Sequence, residues 1–179
     1  MASATDELRA LVRTVPDFPR PGIKFRDVTT LLLDPVGFAQ SIESLAATVT
    51  APVDLVAAID ARGFAIGGAL AVRLGAGLLL VRKDGKLPGA TLTEDYALEY
   101  GHDRLAIHVD AIAAGQRVLI VDDLIATGGT ALAAISLVKR AGGEIVGARF
   151  LIDLPDLGGT KALAEAGIDA VSVMQFAGD

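Results

Sequence analysis

Two adjacent carboxylates, Asp122 and Asp123, and the small-residue loop Ala126-Thr127-Gly128-Gly129-Thr130 carry the residue types best suited to chemistry in this chain. A run of Ala, Thr and Gly lets backbone N–H groups converge on an anion, because no large Cβ substituent blocks the approach. The hydroxyls of Thr127 and Thr130 can add donors to phosphate oxygens. A carboxylate pair would repel phosphate, but it suits the hydroxyl donors of a ribose. The two groups together fit opposite ends of one ligand, a phosphorylated sugar.

The elements that must hold them lie on either side. The apolar run 118–121, rich in β-branched residues, reads as a buried parallel strand with the acids at its end. After the loop, Ala131, Ala134, Ile135 and Val138 share one face at helical spacing. That helix would aim its unpaired N-terminal N–H groups and its positive dipole end at the loop. Lys139 and Arg140 suit its C-terminal end, and Gly142 a cap.

The chain has 179 residues, 52% of them hydrophobic, with a net charge of −6, which fits one α/β domain spanning 1–179 and not a basic nucleic-acid binder. Positive charge for a polyanion must then be concentrated locally. No cysteine is present, so disulfides and thiolate metal sites are excluded. The start, MASATDEL, lacks the basic and apolar regions of a leader. Residues 64–81 are apolar, but Arg73 and several glycines interrupt them, so they read as a helix and a strand rather than a membrane span. A soluble, cytoplasmic protein without membrane partners is expected.

In chain order, residues 5–13 suit a short amphipathic helix with Leu8, Leu11 and Val12 on one face. Pro16, Pro19 and Pro21 predict an ordered arm over 15–35 without regular elements, and Phe18 and Phe25 hint at a docking surface there. Asp34 and Pro35 form an N-cap and first-turn pair for a helix bearing Phe38, Ile42, Leu45 and Val49. A strand over 53–60 leads into Asp60-Ala61-Arg62-Gly63 and a helix over 64–74. Such a strand end is where open α/β sheets bind ligands. A strand over 77–82 ends in Arg82-Lys83-Asp84-Gly85-Lys86-Leu87-Pro88-Gly89, the local positive charge required, in a loop able to close over 83–95. Strands over 96–101, 144–152 and 170–174 and a helix over 159–166 complete a mostly parallel twisted sheet flanked by helices. Neither GxGxxG nor GxxxxGK[ST] occurs, so dinucleotide and P-loop assignments lack their defining residues.

Four segments in order, FPRPGIKFRDVTTLLLDP, DARG, RKDGKLPG with LEYG, and DDLIATGGT, resemble the type I phosphoribosyltransferases, and among them the adenine phosphoribosyltransferase family. The resemblance implies the type I fold with a hood at about 15–35 and transfer of 5-phosphoribosyl from phosphoribosyl pyrophosphate to adenine. The products would be AMP and pyrophosphate, a step of purine salvage. Asp122, Asp123 and residues Ala126, Thr127, Gly128, Gly129 and Thr130 would hold ribose 5-phosphate. Ala61, Arg62, Arg82, Lys83 and Lys86 would hold pyrophosphate, some reaching the neighbour's site in a homodimer. Phe25 would stack on adenine, backbone groups of Lys24 and Arg26 would read its edge, and Leu124 and Ala126 would flank it. Glu99, near the base, and Arg62 would assist catalysis. Mg2+ would ride on the substrate rather than on protein ligands. Members commonly carry a cis bond at the position of Asp60-Ala61.

One departure is visible: Leu105-Ala106-Ile107 stands where the family often has Leu-Glu-Ile, so any ion pair of that glutamate is lost. Two alternatives stay open. One is another purine base, such as hypoxanthine or guanine. The other is a non-catalytic sensor of the sugar phosphate that binds RNA, which the net charge of −6 disfavours.

Overall fold

The structure, a computed structural model, describes residues 3–98 and 101–177. Helix α1 (Ala4–Ala10) opens on a capping box between Ser3 and Asp6 and buries Leu8. Strands β1 (Arg13–Pro16) and β2 (Lys24–Asp27) then pair antiparallel, with Val15 opposite Phe25. This corrects the expectation of an arm without regular elements. Pro16 is the last residue of a two-stranded ribbon, a strand end where a missing N–H is tolerated. Asp27 anchors the ribbon: hydrogen bonds from the Thr29 hydroxyl and the Arg13 guanidinium, with the Thr29 amide, lower its pKa to about 2.

Helix α2 (Thr29–Leu33) leads into α3 (Pro35–Ala47), where Asp34 accepts from the Gly37 amide at 2.7 Å and Pro35 fills the first turn. Ile42 and Leu45 are buried, and Phe38 and Val49 pack partly against the same cluster. The remaining elements are β3 (Leu55–Ile59), α4 (Gly63–Leu74), β4 (Gly77–Lys83), β5 (Thr91–Leu98), β6 (Gly101–His108), β7 (Arg117–Ile125), α5 (Gly129–Arg140), β8 (Glu144–Asp153), α6 (Gly159–Glu165) and β9 (Ala170–Gln175). Among the described residues, no helix is long and apolar enough to cross a membrane, and 64–81 resolves into α4 and β4.

Seven strands form one sheet in the order β5-β6-β4-β3-β7-β8-β9. The five from β4 to β9 run parallel, and β6 is antiparallel to both β4 and β5. Alternation along the central strands feeds two cores. On β7, Val118 and Ile120 join the cluster under α5 and α6, while Leu119 and Val121 join the one under α1, α3 and α4. Both faces are covered, so the strand is apolar from Val118 to Val121.

Three expectations need correction. The strand read over 96–101 is a hairpin of two strands, β5 and β6, and the irregular part of the basic loop is only 84–90, since β5 begins at Thr91. The acids do not end the central strand either: β7 runs through Asp122 and Asp123 to Ile125.

Candidate active site

β3 pairs with β7 only as far as Ala58 and Val121, whereas β8 follows β7 to Ile125. From Asp122 onward one flank of β7 is therefore open, and the 60–63 loop enters it. Gly63 makes the approach possible. A Cβ there would lie 2.8 Å from Asp122 Oδ1 and 3.1 Å from the Val121 carbonyl. The Asp60-Ala61 bond is cis.

Arg62 is the hub of this corner. Its Nε donates to Asp123 Oδ2, and its guanidinium sits 5.2 Å from the centre of the Phe25 ring. Phe25 in turn meets Phe18 edge-on at 5.3 Å, and Phe18 is half exposed. Asp123 is buried at 4% exposure, and Arg62 is the cation paired with it. Burial pulls the Arg62 pKa down, yet the charges of Asp123, then Asp122 and Asp27, hold it above its ordinary value. Asp122 Oδ1 accepts from the Asp123 amide at 2.8 Å. Its own carboxyl is pushed well up, first by burial and then by the charge of Asp123.

Across the site, Gly128 takes the left-handed conformation (φ 86°) at the N-cap of α5, with no side chain capping the helix. The N-terminal N–H groups of α5 are thus left to the loop. Gly159 backs that loop: its amide donates to the Ala126 carbonyl at 2.8 Å, and a Cβ would fall 2.3 Å from the same oxygen. The hollow between them, about 150 Å³, is lined by Arg62, Asp122, Asp123, Leu124, Ala126, Thr127, Gly128 and Thr130, among others. A neighbouring hollow of about 390 Å³ shares Arg62, both acids and Thr130, and adds Asp60, Ala61, Lys83, Tyr96 and Asp103. One connected cleft thus presents hydroxyl acceptors, an anion cradle and a planar cation.

The phosphoribosyl transferase domain family model matches residues 32–162. The adenine phosphoribosyltransferase of Sphingopyxis alaskensis is 53% identical over 174 residues, covering 97% of this chain and 95% of the relative. The chain belongs to the adenine phosphoribosyltransferase family.

Solved structures of family members agree with the fold. The Rhodothermus marinus adenine phosphoribosyltransferase has a TM-score of 0.91 at 50% identity, over 97% of this chain and 98% of that one. The Saccharomyces cerevisiae enzyme, complexed with D-2,5-dideoxy-2,5-imino-altritol 1,6-bisphosphate and adenine, has a TM-score of 0.91 at 35% identity, over 97% and 100%.

Of the residues singled out from the sequence, the cleft gathers Ala61, Arg62, Lys83, Asp122, Asp123, Leu124, Ala126, Thr127, Gly128 and Thr130. Gly129 starts α5 directly behind, and Phe25 reaches the cleft through Arg62. Others lie apart. Arg82 donates to Asp60 Oδ2 at 2.9 Å and stacks on Phe64, and Lys86 is exposed outside both hollows. The Lys24 side chain is exposed, and Arg26 turns to Thr14 and the Phe176 ring. Ala106, at the family's glutamate position, is buried opposite Arg82 on the neighbouring strand. Glu99 and Tyr100 lie outside the described residues.

Asp60, Tyr96, Asp103 and Gly159 join or support the cleft without having been singled out as site residues. The Gly158-Gly159 pair was a readable signal of a close approach. Tyr96 and Asp103 carry none, because they meet only once the β5–β6 register is known.

Proposed function

We propose that the chain, acting as one domain over 1–179 with a hood at about 15–35, transfers 5-phosphoribosyl from phosphoribosyl pyrophosphate to adenine. The products are AMP and pyrophosphate. The observation that carries this reading is the position of Arg62, paired with Asp123, stacked on Phe25 and lining both hollows. Sugar, diphosphate and base subsites meet at that one residue.

In this scheme the N-terminus of α5 and the 126–130 loop hold the 5-phosphate, with Thr127 and Thr130 as hydroxyl donors. Asp122 and Asp123 accept from the ribose hydroxyls. As the donor settles, Asp123 exchanges Arg62 for a hydroxyl, and Arg62 turns its fork to the pyrophosphate beside Ala61 and Lys83. Arg82 and Lys86 reach the same diphosphate when the 84–90 loop closes, which also excludes water from the activated sugar. Adenine lies against Phe25, with Leu124 and Ala126 as an apolar wall and backbone groups of Lys24 and Arg26 reading its edge. A ring nitrogen of adenine attacks the anomeric carbon while pyrophosphate leaves, through an oxocarbenium-like transition state. Arg62 stabilises the leaving charge, and Glu99 assists near the base. Magnesium enters as part of the substrate, on pyrophosphate and ribose oxygens, because it prefers oxygen ligands and keeps its waters.

The working unit is a homodimer in the cytoplasm, where a phosphorylated donor is retained. Leu78 and Leu80 are 44% and 39% exposed on β4, and Val72 of α4 is 84% exposed, an apolar strip that a second copy would cover. A monomer mass by light scattering at micromolar concentration would count against it. The reaction is tested by product analysis after mixing the protein with adenine, the donor and magnesium. AMP and pyrophosphate in equal amounts are expected. Donor binding without any nucleotide would favour the sensor alternative. Gly159→Ala is expected to raise KM for the donor about tenfold or more, since a methyl group 2.3 Å from the Ala126 carbonyl must displace the phosphate loop. Unchanged kinetics would mean that the loop gives way at no cost.

A further inference from the structure

The larger hollow contains a contact that the reaction scheme leaves unused. Tyr96 of β5 and Asp103 of β6 stand directly opposite each other in the hairpin, and the Tyr96 hydroxyl donates to Asp103 Oδ2 at 3.2 Å. The same oxygen lies 3.1 Å from Nζ of Lys83, the last residue of β4. Thr130, in the first turn of α5, lines the same hollow. Three strands, β4, β5 and β6, are tied at one point.

We propose that Asp103 and Tyr96 form a latch that parks Lys83 beside the diphosphate subsite and yields it to pyrophosphate when the donor binds. The latch rests on the function proposed above and adds two positioning residues to it. The charge balance of the hollow motivates it. Four carboxyl groups, those of Asp60, Asp103, Asp122 and Asp123, line the hollow with two cations, Arg62 and Lys83, while Asp60 is held by Arg82 from outside it. Both cations are already paired, Arg62 with Asp123 and Lys83 with Asp103. A diphosphate can gain them only by exchange. The Lys83 side chain is 54% exposed, so its pair is weak and water-screened, and a multiply charged diphosphate outcompetes one carboxylate. Burial draws Asp103 up, but the Arg104 amide and Lys83 hold it below its usual range, so it stays charged at neutral pH. The Tyr96 hydroxyl keeps that carboxylate at the rim of the cleft rather than in open solvent.

The test is a double-mutant cycle on magnesium pyrophosphate binding to the full-length protein, read by calorimetry. Asp103→Asn is expected to tighten binding about two- to fivefold, the scale of one exposed ion pair. In a Lys83→Met background the gain falls to less than half of that, and in the Asp103→Asn single variant KM for the donor drops while kcat stays within about twofold. Tyr96→Phe, which alters no charge, tightens binding in the same direction by less. Equal gains from Asp103→Asn in both backgrounds would reduce Asp103 to a general negative charge and overturn the latch. Weaker binding in Asp103→Asn would overturn it too. Wild-type protein that forms no AMP would sink the proposed function along with it, whereas an active wild type with equal gains sinks the latch alone.

Discussion

Arg62→Ala is expected to lower kcat/KM for phosphoribosyl pyrophosphate about 10²- to 10³-fold. Charge-assisted hydrogen bonds are worth about 1.5–3 kcal/mol each, and the guanidinium fork can make two of them to a diphosphate. It can also neutralise the leaving group as the bond breaks, so kcat falls as well as affinity. A structural cost accompanies the kinetic one. Asp123 is buried and loses the cation paired with it, while Phe25 loses the group stacked on it. The Arg62 side chain is 40% exposed, so solvent screens the pair and the stability loss stays within about 1–3 kcal/mol. Steady-state kinetics beside a thermal melt separates the two effects. Arg62→Lys keeps the charge without the fork and is expected to recover stability more fully than turnover. A folded Arg62→Ala protein with wild-type kinetics would remove Arg62 from the reaction.

Asp122→Asn is expected to do the opposite to stability. Burial and the charge of Asp123 raise the Asp122 pKa well above its ordinary 3.8. A carboxyl whose folded-state pKa is raised favours folding fully below its unfolded value. That contribution is lost as pH climbs through the folded value, so above the unfolded value the raised carboxyl costs stability. Asparagine keeps the shape, still accepts from the Asp123 amide through Oδ1, and removes the charge. The variant therefore melts at or above the wild-type temperature at pH 7. Its advantage shrinks as pH falls toward 4, measured by melts across that range. Turnover should nevertheless fall by about 10²-fold through lost ribose contacts, on the scale of one or two charge-assisted hydrogen bonds. A lower melting temperature at pH 7 would show that the charge is stabilised in place.

The parallel core was legible because its strands are apolar on both faces. Residues 118–121 and 55–59 announce themselves by composition, and Asp34-Pro35 announces a helix start. The β5–β6 hairpin was not legible in full. Its mid-strand charges are satisfied by each other rather than by a core, as Asp95 and Arg104 face across the ladder at 2.6 Å. The hood ribbon hid behind its prolines, of which Pro16 only terminates a strand. Within the cleft, the 126–130 loop and the acids were readable as local chemistry. The Arg62–Asp123 pair joins residues 61 apart, and the Lys83–Asp103 contact needs both the β4–β6 and β5–β6 registers. Local sequence marks neither.

The most direct measurement compares adenine with hypoxanthine and guanine as acceptors under one donor concentration, with and without magnesium. Adenine is expected to give AMP with kcat/KM about 10³-fold or more above either oxopurine, because a pocket paired to an amino group leaves buried partners unmet when a carbonyl replaces it. Chelating magnesium should abolish the reaction. Comparable rates with hypoxanthine, or no nucleotide from adenine, would contradict the assignment.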